Sequence, residues 1–432
     1  MLCKVAARKL PHNTVMSLSS EGSPLVSKSI ALAMVLALGA AISLGVTRFS
    51  YGLLLPAMRA DLGWSYTLAG AMNTVNALGY LLGALSMPRL LKRFDAMQIL
   101  LFGAAAASVF MALTGFFMTA EPLLVQRLLA GIASAWVFVA GGLLAAQLGA
   151  RHAKESGLIL GVYYGGVGIG IVYSTLLVPS INFLFPSGTH AWPQSWAVAW
   201  WFLALGCAVA SLILMMKSAG LRQYVQNTTA KQTTAAVTQN TPQAHLYEHQ
   251  FRWRQFAYSL AGYGLFGVGY IGYMTFVIAL LREQSASTTT ITVFYALLGL
   301  AVMASSRIWA RLLDKYRGGQ ALAILNALLG IAIVIPALTV WLPALVFSGI
   351  LFGGVFLSVV ASTTALVKHN LPPVSWVSGI SAFTVVFASC QIVGPTMVGW
   401  IADGAGGLAH GLLVSAFALW LGALLAWRQK PL

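Results

Sequence analysis

The sequence predicts an all-α membrane protein with twelve transmembrane helices arranged as two pseudo-symmetric six-helix bundles. Three observations support this fold class. Of 432 residues, 59% are hydrophobic and 8% are charged, whereas about 25% charged residues is usual in soluble domains. The apolar runs are continuous and do not alternate with polar residues, which favours helices over the strands of a β-barrel. A polar stretch halfway along the chain divides the runs into two sets of six.

The apolar runs reach the length of about 20 residues that an α-helix needs to cross the hydrocarbon core of a bilayer. Charged residues, prolines and polar clusters separate one run from the next. The least distinct boundary is the short turn at Leu342 and Pro343, between the ninth and tenth runs. The predicted spans are residues 30–58, 66–87, 97–117, 122–148, 157–179, 196–217, 255–281, 291–309, 321–342, 343–367, 375–401 and 408–427.

The distribution of Lys and Arg predicts the orientation. If the N-terminus is cytoplasmic, all but four of the 25 Lys and Arg residues lie in inner segments. Arg59 and Arg282 fall in outer loops, and Arg48 and Arg127 fall within spans. The positive-inside rule then places both termini in the cytoplasm, and we expect a multi-pass protein of a bacterial-type inner membrane. Because the basic residues form no contiguous face, the net charge of +16 is a topology signal and does not indicate nucleic-acid binding.

The polar stretch with TTAKQTTAAVTQNTPQAH at its centre predicts a cytoplasmic linker between the two bundles. It is poor in aromatic residues and rich in Thr, Gln and Ala, so we expect it to lack packed structure. The predicted domains are a cytoplasmic N-terminal tail (1–28), a first bundle (29–217), the linker (218–254), a second bundle (255–427) and a cytoplasmic C-terminal tail (428–432).

A short repeat supports the division into halves. The string PRLLKRFD at 88–95 follows the second span, and ARLLDKYR at 310–317 follows the eighth. Each string occupies the same place in its half, as expected for two parallel six-helix repeats. Within these strings the chain resembles the major facilitator superfamily, whose loop signature is approximately G-x-L-x-D-R-x-G-R. The second copy keeps Leu312, Asp314 and Lys315 in register.

The first copy departs from that signature, because Lys92 occupies its acidic position and Asp95 its late glycine. Further strings are similar to the superfamily: RLLAGIASA, YYGGVGIGIVY and CQIVGPTMVGWIAD. Together with TRFSYGLLLPAM, NALGYLLGAL and GYIGYMTF, they resemble its YbfB/YjiJ-type branch. The resemblance implies a secondary transporter that works by alternating access. It also implies a gating role for residues of the two loops, namely Arg89, Lys92, Arg93, Arg311, Asp314 and Lys315.

Carboxylates and histidines are absent from the centres of the predicted spans. All nine acidic residues and all seven histidines fall in loops or at span ends, so no midplane proton carrier is predicted. The sequence also lacks an HExxH motif and a pair of intramembrane carboxylates. We therefore predict that the protein is not an enzyme and holds neither a metal ion nor a cofactor.

Arg48 is the most informative single residue. It precedes Arg59 by eleven positions, which is roughly 16 Å of helix and places it near the bilayer midplane. A central arginine costs about 2.5 kcal/mol on insertion scales and keeps its charge, so some group must solvate it. Its planar guanidinium matches a carboxylate or phosphate, which predicts an anionic ligand. The alternative is a hydrogen-bond staple between helices.

The seventh span offers a second candidate wall of the site. Tyr263, Phe266, Tyr270 and Tyr273 recur at intervals of three and four residues and so share one helical face. Packing explains such a stripe, but three hydroxyl groups also suit a cavity for a partly apolar ligand. Arg127 is a second intramembrane arginine that either snorkels to the interface or contacts the ligand. The other candidate substrate contacts are Asn73, Asn76, Tyr163, Tyr164, Thr384 and Gln391.

These residues predict a secondary transporter of a small organic anion, bound by Arg48 and flanked by Asn76 and the tyrosines of the seventh span. The expected partners are this solute, a counter-transported anion or protons, and the lipid bilayer, and we expect a monomer that binds no nucleic acid. Two alternatives stay open. One is a proton-linked exporter of neutral or cationic amphiphiles, with Arg48 as a staple, and the other is a non-transporting membrane sensor.

Overall fold

Twelve membrane-spanning helices make up most of the molecule. The structure is a computed structural model, and it describes residues 24–150, 155–185, 194–237, 252–372 and 375–432. Each span overlaps one of the twelve predicted spans, and no strand occurs within these ranges, so the predicted all-α fold is confirmed. The spans, numbered α1 to α12, are Ser27–Leu62, Tyr66–Leu90, Ala96–Thr114, Ala120–Gly149, Ser156–Leu184, Ser195–Gln223, Trp253–Glu283, Thr288–Ser305, Gln320–Leu338, Leu342–Asn370, Ser378–Ala402 and Gly407–Trp427.

The boundary between α9 and α10 lies a few residues before the predicted turn at Leu342 and Pro343. Span α9 ends at Leu338 and α10 begins at Leu342, so residues 339–341 connect them. Pro343 occupies the first turn of α10, where a missing backbone N–H removes no helical hydrogen bond. Proline therefore starts the second helix at this boundary and does not break a continuous one.

Span α1 is irregular near its centre, although its sequence predicted one continuous span over 30–58. A π-helix covers Ala41–Val46, and α-helix resumes over Ser50–Leu62. The Thr47 backbone N–H donates to the Ile42 carbonyl oxygen at 3.0 Å, which is the wider i→i−5 pattern, and the Thr47 hydroxyl donates to the same oxygen at 2.7 Å. Such π segments are frequent at functional sites. Arg48 lies in the turn at residues 47–49, between the π-helix and the α-helix that resumes at Ser50.

The two halves of the chain are α1–α6 and α7–α12, joined by the region predicted as a linker. The helix of α6 continues from Ser195 to Val237, so the first part of this region is helical, and Leu221 within it is buried. Ala, Gln and Lys favour helix, and no Gly or Pro interrupts the sequence between Gly220 and Pro242. The rest of the linker, 238–251, and the N-terminal tail up to residue 23 lie outside the described residues.

Close helix pairs join the two halves. Span α2 packs against α11, and α5 packs against α8. A Cβ atom on Gly70 would lie 2.2 Å from the Pro395 carbonyl oxygen, and one on Gly168 would lie 2.3 Å from the Gly299 carbonyl oxygen. Only glycine permits these backbone distances, which small residues commonly provide between membrane helices.

The two faces of the bundle differ in charge. Because the number of spans is even, the start of α1 and the end of α12 lie on the same side. This side also carries the loops with Arg89 and Arg317, and we call it the basic side. The opposite side carries the turns at Gly63 and Ser285, where backbone φ is positive.

Candidate functional site

Arg48 lies between the two halves and is almost completely buried, with 2% of its surface exposed. Its Nη2 atom donates a hydrogen bond of 2.9 Å to Oε1 of Gln391 in α11. Its guanidinium carbon lies 5.8 Å from the ring centroid of Tyr80 in α2. Arg48 and Gln391 were both predicted as substrate contacts, and the structure places them side by side, 343 positions apart in the sequence.

The Arg48–Gln391 pair leaves two buried donor atoms without acceptors. Gln391 is fully buried, and its Oε1 accepts from Arg48 and also from the Tyr270 hydroxyl at 2.9 Å. Gln391 Nε2 and Arg48 Nε have no hydrogen-bond partner among the described residues. A buried unpartnered donor costs about 1–3 kcal/mol, and more when the group is charged. The site therefore has an excess of donors and suits a ligand that brings acceptor atoms.

Arg127, the second intramembrane arginine, is held differently. Its Nη1 and Nε donate to the carbonyl oxygens of Thr47 at 3.1 Å and Met72 at 3.4 Å. Its Nη2 donates to Asn73 Oδ1 at 3.0 Å, and its guanidinium carbon lies 4.8 Å from the Tyr51 ring centroid. Every guanidinium nitrogen thus has an acceptor, and the side chain ties α4 to α1 and α2.

The two predicted asparagines serve helix contacts in this structure. Asn76 Nδ2 donates to the Arg127 carbonyl oxygen at 3.0 Å, within the first half. Asn73 Nδ2 donates to Thr275 Oγ1 at 2.7 Å, which joins α2 to α7 of the second half. The structure therefore places Asn73 beside Arg127 and not beside Arg48, and it directs Asn76 toward α4.

Of the three tyrosines of α7 that were predicted to face the site, Tyr270 reaches Arg48 through Gln391, while Tyr263 and Tyr273 have different surroundings. Tyr263 stacks on Phe387 with a centroid distance of 5.2 Å. Tyr273 points into the second half, where its hydroxyl is 2.9 Å from the Ser348 hydroxyl and its ring stacks 4.2 Å from Phe352. The three tyrosines expected on one helical face thus have different roles: Tyr270 contacts Gln391, Tyr263 packs among aromatic rings, and Tyr273 lies in the core of the second half.

Stacked aromatic rings lie next to the site on the second half. We call them the aromatic wall. The Tyr270 ring lies 4.9 Å from Phe266, 5.1 Å from Phe356 and 5.6 Å from Phe387. Phe49, the neighbour of Arg48 in the chain, approaches Phe356 to 5.9 Å. The wall joins α7, α10 and α11, and through Phe49 it also touches α1.

Two tyrosines of the first half, Tyr80 and Tyr164, lie close to this wall. Tyr80 is close enough to interact electrostatically with Arg48, Tyr270 and Tyr164. Tyr164 is partly exposed, whereas Tyr163 is buried and donates to the Phe138 carbonyl oxygen at 2.7 Å. Sequence reasoning missed Tyr80. Its spacing of four and seven residues from Asn76 and Asn73 would have placed it on the same face of α2.

Thr384 and the residues of the predicted loop motif lie away from the centre. Thr384 is exposed and bonds its own helix at the Ile380 carbonyl oxygen. The loop residues are exposed on the basic side. Asp95 caps α3 by accepting from Gln98 N at 2.8 Å, and its carboxylate lies 3.3 Å from Arg222 in α6. The exposed motif residues are Arg89, Lys92, Arg93, Arg311, Asp314 and Lys315.

Hydrogen bonds close the interface between the halves on the opposite side. Asp403, at the end of α11, accepts from the backbone N–H groups of Tyr66 and Thr67 at 2.8 Å each, and from the Thr67 hydroxyl at 2.6 Å. One turn or more below, the Thr396 hydroxyl donates to the Thr74 hydroxyl at 2.8 Å. These contacts hold the two halves together on this side.

The charges around Asp403 favour its ionised form. Desolvation opposes ionisation, but the hydrogen bonds from Thr67 and Tyr66 and the nearby Arg59 outweigh it and lower the pKa of the Asp403 carboxyl. The Tyr66 hydroxyl donates to Glu283 of α7, and the Arg59 guanidinium carbon lies 3.7 Å above the Tyr66 ring. Two peripheral acids of the second half, Asp403 and Glu283, thus contact the first half around the first turn of α2.

Solved structures with the same fold are membrane transporters. A bacterial homolog of the human lysosomal transporter Spinster, in an inward-facing and unoccupied conformation, aligns with TM-score 0.65 and 15% identity over 94% of this chain and 97% of that chain. The xylose transporter XylE from E. coli, partially occluded and inward open, gives 0.66 and 14% over 93% and 98%. The nucleoside transporter NupG gives 0.64 and 12% over 94% and 100%. At these identities the likeness shows the fold alone.

Sequence comparison identifies the family. None of the curated proteins compared matches the sequence. A family model described as "Uncharacterised MFS-type transporter YbfB" matches residues 40–427, which is nearly the whole chain. The resemblance noted from the sequence is confirmed, and the fold of the solved transporters agrees with it. The chain belongs to this YbfB-type family of the major facilitator superfamily and is a secondary transporter, not an enzyme.

Proposed function

We propose that this transporter moves a small organic anion that binds at Arg48. The observation that carries the proposal is the incomplete hydrogen-bond shell of a buried guanidinium between the two halves. Arg48 Nε has no partner, and no carboxylate among the described residues contacts the side chain. The oxygens of an anion supply the missing acceptors, and their charge offsets part of the cost of burying the cation.

The position of Arg48 supports alternating access. The contacts of Asp403 with Thr67 and of Thr396 with Thr74 close the opposite side, so the ligand enters this conformation from the basic side. Rocking of the two halves about the centre breaks these contacts and exposes Arg48 to the opposite side. The site at the interface then faces each side of the membrane in turn.

The direction of transport follows from charge. By the positive-inside rule the basic side is cytoplasmic and the membrane is a bacterial-type inner membrane. A negative interior favours anion exit by about 2.3 kcal/mol per charge per 100 mV. Potential-driven export, or exchange for a second anion, is therefore the mode we propose for the monomer.

Efflux from proteoliposomes tests this function. Organic anions that raise the melting temperature of the purified protein are loaded into vesicles, and their efflux is measured with and without an imposed potential. We expect an inside-negative potential to accelerate efflux, and Arg48→Gln to abolish it. Thr292→Val is the matched control, because it removes one hydrogen bond within α8, to the Thr288 carbonyl oxygen, away from the site and from the contacts between the halves. Equal anion efflux from Arg48→Gln and the wild type would refute the proposal.

An exporter of neutral or cationic amphiphiles is the second candidate. The aromatic wall favours it, since stacked rings bind apolar ligands and attract cations. In that case the bond from Arg48 to Gln391 is a staple between the halves. Arg48→Gln would then lower the melting temperature while the remaining folded protein exported amphiphiles normally, which is the reverse of the anion result.

A further inference from the structure

Gln391 carries information about the ligand that Arg48 does not. Its carboxamide orientation is fixed by its neighbours: Arg48 has only donor atoms, so the carboxamide oxygen must face the guanidinium. The Tyr270 hydroxyl donates to that same oxygen. The amide nitrogen of Gln391 therefore points away from both groups, with two N–H donors and no acceptor among the described residues.

An acceptor for Gln391 Nε2 would lie close to an acceptor for Arg48 Nε. One hydrogen bond of 2.9 Å joins the two side chains, so a ligand of a few heavy atoms reaches both Arg48 Nε and Gln391 Nε2. The two donors differ in kind. The guanidinium is a permanent cation, and the carboxamide is neutral, so the first suits a charged oxygen and the second suits an uncharged acceptor.

The aromatic wall limits what else the ligand carries. The Tyr270 ring packs against Phe266, Phe356 and Phe387, at centroid distances of 4.9, 5.1 and 5.6 Å. These rings carry no cation for a second carboxylate, and Arg127, which interacts electrostatically with Arg48, already has an acceptor at each guanidinium nitrogen. They suit an apolar or planar remainder.

From these contacts we infer that the ligand is a monocarboxylate with a neutral acceptor oxygen on the carbon next to the carboxylate, a 2-hydroxy or 2-oxo acid with an apolar remainder. Arg48 binds the carboxylate, and Gln391 Nε2 donates to the neighbouring oxygen and determines specificity. This inference rests on the proposed anion function. It adds a discrimination that Arg48 alone does not provide, since a site built to hydrogen-bond a substrate oxygen rejects the analogue that lacks it.

A matched pair of acids tests the inference on the wild-type protein. The probes are 2-hydroxy-3-phenylpropanoate and 3-phenylpropanoate, which share the carbon skeleton and the charge and differ only in the hydroxyl group. Binding to the purified protein in nanodiscs is measured by calorimetry. We expect the hydroxy acid to bind at least tenfold more tightly. Equal affinities would overturn the role of Gln391 and leave the anion function standing, whereas binding of neither acid would overturn the anion function and the inference with it.

Variants locate the discrimination. Gln391→Met, which keeps the length of the side chain without its amide, should bind both acids with equal affinity, because the donor to the hydroxyl oxygen is lost. Arg48→Gln should lose both acids. Thr292→Val, the control within α8, should keep the wild-type preference. Tenfold preference retained in a folded Gln391→Met protein would assign the discrimination to another residue and overturn the inference.

Discussion

Arg127 and Arg48 are both buried arginines in the membrane interior, and the protein surrounds them differently. Arg127 donates to two backbone carbonyls and to Asn73 Oδ1, all within the first half, so each of its nitrogens has an acceptor. Within the described part of the chain, Arg48 donates to the side chain of Gln391 in the second half, and its Nε has no partner. The set of hydrogen-bond acceptors around Arg127 is complete and lies inside one half. The set around Arg48 is incomplete and lies between the halves.

With the function proposed above, this difference assigns Arg127 a structural role and Arg48 a ligand-binding role. A charge whose donors are all satisfied by its own half keeps its contacts while the halves move. A charge at the interface loses its contact with the other half whenever the halves separate, so it needs a partner that stays bound to it during this motion. A bound anion is such a partner. The comparison therefore predicts that substitution by Gln mainly lowers the stability of the protein at Arg127 and mainly weakens ligand binding at Arg48.

Arg127→Gln should give the largest effect on stability. The substitution leaves Asn73 Oδ1 and two carbonyl oxygens without their charged donor, and we expect the free energy of unfolding to fall by roughly 3 kcal/mol. The measurement is denaturation of the purified protein in nanodiscs. Arg89→Gln, at an exposed arginine on the basic side, is the matched control and should unfold like the wild type. If Arg127→Gln unfolded normally and lost ligand, the roles of the two arginines would be exchanged.

Arg48→Gln should give the largest effect on binding. Loss of a charge-assisted, bidentate contact with a carboxylate should weaken affinity for the anion by roughly 100-fold, which corresponds to about 2.7 kcal/mol. The empty protein should unfold within about 0.5 kcal/mol of the wild type, because the uncompensated buried cation is removed and Gln391 still accepts from Tyr270. Calorimetry and denaturation are carried out on the same preparation. Lower stability with unchanged affinity would identify Arg48 as a staple.

Arg48→Lys sharpens the comparison by keeping the charge. The ammonium group lacks the planar fork of the guanidinium, so it holds a carboxylate through single contacts. We expect affinity for the anion to fall by roughly tenfold, or about 1.4 kcal/mol, with the fold preserved. The titration used for Arg48→Gln measures this loss. An affinity equal to that of Arg48→Gln would show that the fork, and not the charge, dominates binding.

The sequence predicted the spans well because hydropathy depends on residues that are neighbours in the chain. It also identified Arg48, since a charge inside an apolar run is visible without any partner. The π-helix at Ala41–Val46 was not predicted, because its cause includes the close approach of α5, where a Cβ on Gly45 would lie 2.6 Å from the Val167 carbonyl oxygen. Such approaches arise only in the packed bundle.

The pairing of site residues was likewise beyond the sequence. Gln391 was a candidate contact, but nothing in the chain indicated that it would meet Arg48 from the other half. Arg127 was described as near the interface or as a ligand contact, and its complete set of acceptors comes from α1 and α2. Which polar side chains satisfy one another depends on helix rotation and depth, and a sequence reports these only where spacing on one helix suffices, as for Tyr80.

The smallest expected effect concerns Asp403, a contact between the halves that must break in each transport cycle. Its carboxylate accepts from Thr67 and Tyr66 and lies near Arg59, so its pKa is lowered in the closed form. A lowered pKa means that the contact is fully present above the ordinary carboxyl pKa of about 3.9 and is lost as the pH falls through the lowered value. We therefore expect protonation of Asp403 to weaken this contact between the halves; Glu283 is the other acid near Tyr66.

Asp403→Asn should mimic this weakening at neutral pH, because the amide replaces one acceptor oxygen with a donor that faces the Thr67 N–H. The measurement is alkylation of a cysteine introduced at Thr74, below the contact on α2, in a background without the native cysteines. We expect labelling from the opposite side to rise a few-fold. Asp61→Asn is the matched control, because Asp61 accepts from the Trp196 indole at 2.9 Å within the first half. Equal labelling in both variants would show that contacts between the halves do not differ from contacts within one half, and the distinction drawn from the two arginines would fail.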